Sequence, residues 1–175
     1  MIENRFEVTL EDMKETSRPI LFQTPAFRKT AIFTPLLLVI ALIIIWAYND
    51  GSSNMLPTAI CGLVLLVYLN TLRKLPNKMA DQLYANLCSV NDPPVMHNVL
   101  TEGGVLVVGG DEDSDTAFPF SSLKHIFGTE NFIIVTDIHN QAALFRRDAY
   151  VKGNDQLLLD TLQSHCPNAK FGKGL

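Results

Sequence analysis

Two uninterrupted apolar runs, 31–48 and 55–72, dominate the hydrophobic pattern of this chain. Each holds 18 residues and no charged side chain. As a helix, either run reaches roughly 27 Å, close to the ~30 Å hydrocarbon core of a bilayer. Between them, Asn49-Asp50-Gly51-Ser52-Ser53-Asn54 is a turn-forming cluster. The pattern predicts a transmembrane helical hairpin, its first span kinked at Pro35. Trp46, Tyr48 and Tyr68 fall near span ends, where interfacial aromatics collect.

The flanking patterns differ. Phe6, Val8 and Leu10 alternate with Glu7 and Thr9, which predicts a strand over 2–10. A lone strand needs a partner, so it is expected to dock as an added edge strand on the domain beyond the hairpin. Thr9, followed by Glu11 and Asp12, reads as an N-cap of a short helix over 11–17, limited by Pro19. Thr24-Pro25 marks a second helix start. After the hairpin, Met79, Leu83, Leu87 and Val90 share one face of a juxtamembrane helix over 78–90. Asn91-Asp92-Pro93-Pro94 then breaks the chain.

Beyond that break the signal is short strands and turns. Strands are expected at 99–101, 105–108, 116–120, 124–128, 132–135 and 142–145, with a hairpin at Gly103-Gly104. Asn154-Asp155 starts a closing helix with Leu157, Leu158, Leu159 and Leu162 as its apolar positions, and Pro167 ends it. The chain thus divides into an N-terminal strand and short helix over 1–24, a hairpin with juxtamembrane helix over 25–90, and a sheet domain over 91–175. The fold class is α+β, a membrane protein whose small antiparallel sheet domain is closed by a C-terminal helix.

Phe118-Pro119-Phe120-Ser121-Ser122-Leu123-Lys124-His125-Ile126, with the order of these parts, resembles the YcxB-like family of small bacterial membrane proteins. Leu144-Phe145-Arg146-Arg147-Asp148-Ala149-Tyr150 is similar to that family's I-P-K-R-A-F segment, which precedes its final helix. Phe120 stands where the family often has Trp, and Phe145 where it has Pro. The resemblance implies two spans and a cytoplasmic, pleckstrin-homology-like sheet. It implies no established activity, and no functional residues carry over.

Charge refines the placement. The net charge is −4, and residues 91–175 carry six basic against eleven acidic side chains. That balance argues against nucleic acid as a partner. Lys14, Arg18, Arg28 and Lys29 precede the first span, Arg73, Lys74 and Lys78 follow the second, and the turn has no cation. The positive-inside rule then places both termini in the cytoplasm of a multi-pass protein of the plasma (inner) membrane. No cleavable signal peptide is expected, because the apolar run begins some thirty residues in, behind an acidic stretch.

Candidate chemistry is sparse. Asp111, Asp113 and Asp115 match the first acids of a calcium loop, but Thr116 and Ser122 stand where its Gly and closing Glu belong. His97, His125, His139 and His165 show no metal-ligand spacing, and Cys61, Cys88 and Cys166 form no framework. Neither a phosphate loop nor a nucleophile elbow is present, and the spans hold no ionisable group. No metal or cofactor is expected. Lys124, Arg146, Arg147 and Lys152 are the candidate contact for an anion or partner. The reading is a non-enzymatic, membrane-anchored interaction module whose partners are the bilayer and an unidentified protein or lipid headgroup. A homo-oligomer is compatible with it. The alternative is an accessory subunit of a membrane enzyme or transport complex.

Overall fold

The computed structural model describes residues 1–48, 55–108 and 115–175. The turn expected at 49–54, and the acidic turn apart from Asp115, lie outside the described residues.

Strand β1 spans Ile2–Glu7 and leads into helix α1, Leu10–Gln23. The cap between them is reciprocal. The Asp12 N–H donates to Thr9 Oγ1 at 3.2 Å, and the Thr9 N–H donates to Asp12 Oδ2 at 2.9 Å. The helix does not stop before Pro19, as the sequence suggests, but continues to Gln23. An interior proline costs about 3 kcal/mol. Burial of Met13, Thr16, Ser17 and Leu21 on one helical face offsets that cost.

Helix α2 spans Pro25–Tyr48 and stays helical through Pro35, while α3 spans Met55–Val90. Both are long and apolar enough to cross a membrane, and none of either apolar stretch is buried within the chain. Among the described residues, two hydrogen bonds tie them. Trp46 Nε1–H donates to Thr58 Oγ1 at 3.0 Å, and the Tyr68 hydroxyl donates to the Thr30 carbonyl at 2.9 Å.

The second apolar run and the expected juxtamembrane helix are one helix. Over 36 residues α3 reaches roughly 54 Å, well beyond a bilayer core. Its lower part packs against α1 and joins a core shared with the sheets through Ala80, with Tyr84 and Leu87 partly buried beside it. The buried face is therefore rotated from the expected one: Leu83 is 47% exposed and Val90 76%. Spacing alone could not choose between the two faces, because both carry apolar residues.

The remaining elements are β2 (Val95–Leu100), β3 (Gly104–Val108), β4 (Thr116–Pro119), β5 (Leu123–Gly128), β6 (Phe132–Asp137), β7 (Ala142–Arg146), β8 (Tyr150–Lys152), α4 (Asp155–His165) and β9 (Lys170–Phe171). One sheet has the order β4-β3-β2-β1-β8, the other β7-β6-β5-β9, with β9 parallel to β5. The N-terminal strand joins this domain, yet not at an edge. It pairs with β2 from Ile2↔Leu100 to Glu7↔Val95, and with β8 on its other side. Strands β8 and β9 are too short to register as apolar alternation.

One core lies between the sheets and α4, built on Ile2, Val105, Ile126, Phe145, Leu158 and Leu162. A second joins Phe6, Met13, Ala80, Phe132 and Leu144, and so binds α1 and the foot of α3 to the sheets. Glu15 adds a polar tie, accepting from the Asn131 N–H at 3.0 Å and from Asn131 Nδ2 at 2.9 Å. The helical hairpin thus stands on a packed base rather than on a free linker.

Candidate functional site

The four cations singled out by the sequence do not meet. Arg146, at the end of β7, places Nη1 3.4 Å from Asp12 Oδ2 and Nε 2.9 Å from Asp148 Oδ1. Arg147 places Nη1 2.8 Å from Asp155 Oδ2 and donates from Nη2 to the Gly174 carbonyl. Both guanidinium groups are matched by carboxylates, so they tie α1, α4 and the C-terminal tail to the sheet. Lys152 lies exposed on β8, in the other sheet, at a register position opposite Glu3.

Lys124 has a different setting. It lines a pocket of about 350 Å³ together with Arg28 and Lys29 of α2 and Lys170 of β9. Each arrives there for a local reason. Thr24 separates α1 from α2, and Pro25 opens the new helix. Helical spacing then sets Arg28 and Lys29 one turn before Ile32 and Phe33, and all four line the pocket. The register of β5 against β6 is irregular between Leu123 and His125. Such an irregularity breaks strict alternation, so the consecutive residues Lys124 and His125 both line the pocket. Parallel pairing sets Lys170 beside His125.

No carboxylate among the described residues lines this pocket. Among the described residues, Arg28, Lys29, Lys124 and Lys170 take part in no ion pair. His125 registers the resulting field. Its pKa is held below the ordinary 6.5, first by burial and then by the charges of Lys124 and Lys170. The imidazole is therefore neutral at neutral pH, a polar group rather than a further cation. The C-terminal end of α1 and the N-terminal end of α2 meet here, so their opposite end charges largely cancel. The positive potential comes from the side chains.

A second basic recess, about 530 Å³, lies between α1 and α3 and is lined by Arg18 and Arg73 with Leu72. The pocket near Arg5 and His97 differs, because Asp92 lines it and His97 Nε2 sits 2.9 Å from Glu3 Oε1. Among the described residues, no three His, Cys, Asp or Glu side chains converge as a metal-binding group.

Arg28 and Lys29 are legible in sequence as span-flanking cations. That they share a pocket with Lys124 and Lys170 is not, because nothing local links positions 28 and 170. No family model, curated protein or solved structure matches the chain.

Proposed function

We propose that this protein is a membrane-anchored interaction module without enzymatic activity, whose helical hairpin holds a pleckstrin-homology-like sheet domain against the cytoplasmic face of a bacterial inner membrane. The carrying observation is that two helices of spanning length expose their whole apolar stretches while the foot of α3 joins the core of a sheet domain. Eleven Ile, Leu, Val and Phe side chains occupy 31–48. At about 0.3–0.6 kcal/mol each near a bilayer centre, they favour insertion of that helix by roughly 3–7 kcal/mol.

The pairing of β1 with β2 and β8 supports a hairpin that crosses and returns. Strands of one sheet share one side of a membrane, so the chain between β1 and β2 crosses an even number of times. Arg28, Lys29, Arg73 and Lys74 at the sheet side of the spans then favour the cytoplasm for that side. Two sheets with α4 near the C-terminal end, and α1 and the hairpin inserted between β1 and β2, support the pleckstrin-homology-like part of this reading, with β8 and β9 as additional strands.

Alkaline carbonate extraction of membranes tests the anchor, with retention in the pellet expected. Reporter fusions at Ser52 and after Leu175 test the orientation, the second active only in the cytoplasm. Release of the intact chain into the carbonate supernatant would overturn the anchor, and a C-terminal reporter active only outside would overturn the orientation.

A further inference from the structure

We infer that the pocket formed by Arg28, Lys29, Lys124 and Lys170 binds the phosphate of an anionic membrane lipid, with the start of the lipid's chains against Ile32 and Phe33. This deepens the membrane-anchored reading and rests on it. Four cations share one recess, and among the described residues no carboxylate lines it. Clustering like charges is unfavourable, and a bound anion relieves it. The volume, about 350 Å³, falls at the small end of the range for small-molecule sites, which suits a headgroup.

The second feature separates a lipid from a free phosphate. The pocket is not polar throughout: Ile32 and Phe33 form part of its wall and belong to the exposed apolar face of α2. The order from sheet to helix is cation, then hydrocarbon, which is the order of groups in a phospholipid entering a bilayer. A free phosphate would use the cations and leave Ile32 and Phe33 uncovered. Specificity follows from the charges. The trimethylammonium of a choline headgroup would meet four positive side chains, whereas a glycerol headgroup adds no charge. A phosphatidylglycerol-type lipid is therefore favoured over phosphatidylcholine. His125, neutral and beside Lys124, adds a hydrogen-bonding group without further charge.

The test uses the full chain in a neutral detergent, titrated with phosphatidylglycerol, phosphatidylcholine or inorganic phosphate, with bound lipid read by native mass spectrometry. Phosphatidylglycerol is expected to be preferred by roughly tenfold or more, and inorganic phosphate in millimolar excess to leave that preference intact. Each cation near an anionic group is worth about a fivefold change in binding. The Lys124→Gln/Lys170→Gln double variant is expected to lose most of the preference, and Lys152→Gln, in the other sheet, to keep it. Arg28→Gln/Lys29→Gln supplies a second pair on exposed helical positions, should the first disturb the sheet. An equal affinity for the two lipids, or a preference that survives both double variants, overturns the inference. Saturable inorganic phosphate binding without lipid preference also overturns it and assigns the pocket to a soluble anion. Because binding is read in detergent, a failed carbonate extraction sinks the anchor while leaving this result separately readable.

Discussion

Asn4 and Arg146, 142 positions apart, are joined by two hydrogen bonds. Asn4 Nδ2 donates to the Arg146 carbonyl at 2.7 Å, and Asn4 Oδ1 accepts from the Arg146 N–H at 3.0 Å. The side chain acts as a missing strand neighbour for β7, the edge strand of the second sheet, and it reaches from β1 in the first. Asn98, opposite Asn4 in the register, donates from Nδ2 to the Leu144 carbonyl of the same strand. Two fully buried amides thus staple one sheet to the other.

Replacing Asn4 with Ala should therefore be costly. The substitution leaves the Arg146 N–H without its partner in a partly buried place, while the Arg146 carbonyl keeps the Ala149 N–H at 3.2 Å, and an unmade bond costs about 1–3 kcal/mol. A loss of about 1–3 kcal/mol is expected in denaturant unfolding of the full chain. Arg146→Ala, by contrast, keeps these backbone bonds and removes the ties to Asp12 and Asp148, so its effect should be smaller.

Deleting residues 1–8 should unfold the first sheet rather than trim it. An interior strand supplies hydrogen bonds on both sides and buries Ile2, Asn4, Phe6 and Val8. Limited proteolysis of full-length and truncated protein in membranes checks this. Rapid cleavage within 95–152 is expected in the truncated form, with membrane insertion unchanged. For the same reason a fragment comprising 91–175 should not fold independently.

Gly103 and Gly104 should respond differently to alanine. Gly104 has φ +150°, and a Cβ there would collide with the Phe118 carbonyl of the paired strand β4. Nothing lies within 4 Å of a Cβ at Gly103. Gly104→Ala should cost about 2 kcal/mol or more, and Gly103→Ala less than about 1 kcal/mol. Paired thermal melts decide it.

The clasp between α1 and the β5–β6 turn should weaken in acid. Burial raises the Glu15 pKa, but hydrogen bonds from Thr129 and Asn131 outweigh it and hold the carboxyl below the ordinary 4.5. A depressed pKa contributes stability that is present above the unfolded value and lost as pH falls through the folded one. The melting temperature should therefore fall as pH drops below 4.5, and Glu15→Gln should flatten that acid limb. The group is only half-buried, so solvent screening should keep the effect modest.

Features that depend on neighbours in the chain were legible without a structure. Span length and hydropathy are local sums, so both long apolar helices could be read directly. The Thr9 cap needs residues three apart, and the alternation of Phe6 and Val8 needs only period two. What the tertiary structure decided involves distant partners. Packing carried α1 past Pro19 and chose the Ala80–Tyr84 face of α3 over the one with Leu83 and Val90. Burial of Ile2 and Asn4 between two sheets made β1 an interior strand, because β8, the neighbour that removes its edge, has three residues and no pattern of its own. The basic pocket has the same origin. Charges at positions 28, 29, 124 and 170 are individually unremarkable, and only the docking of α2 beside β5 and β9 sums their fields at one point. Arg146 and Arg147, which look free in the sequence, are matched by Asp12, Asp148 and Asp155, since electrostatic energy depends on distance in space and not on separation along the chain.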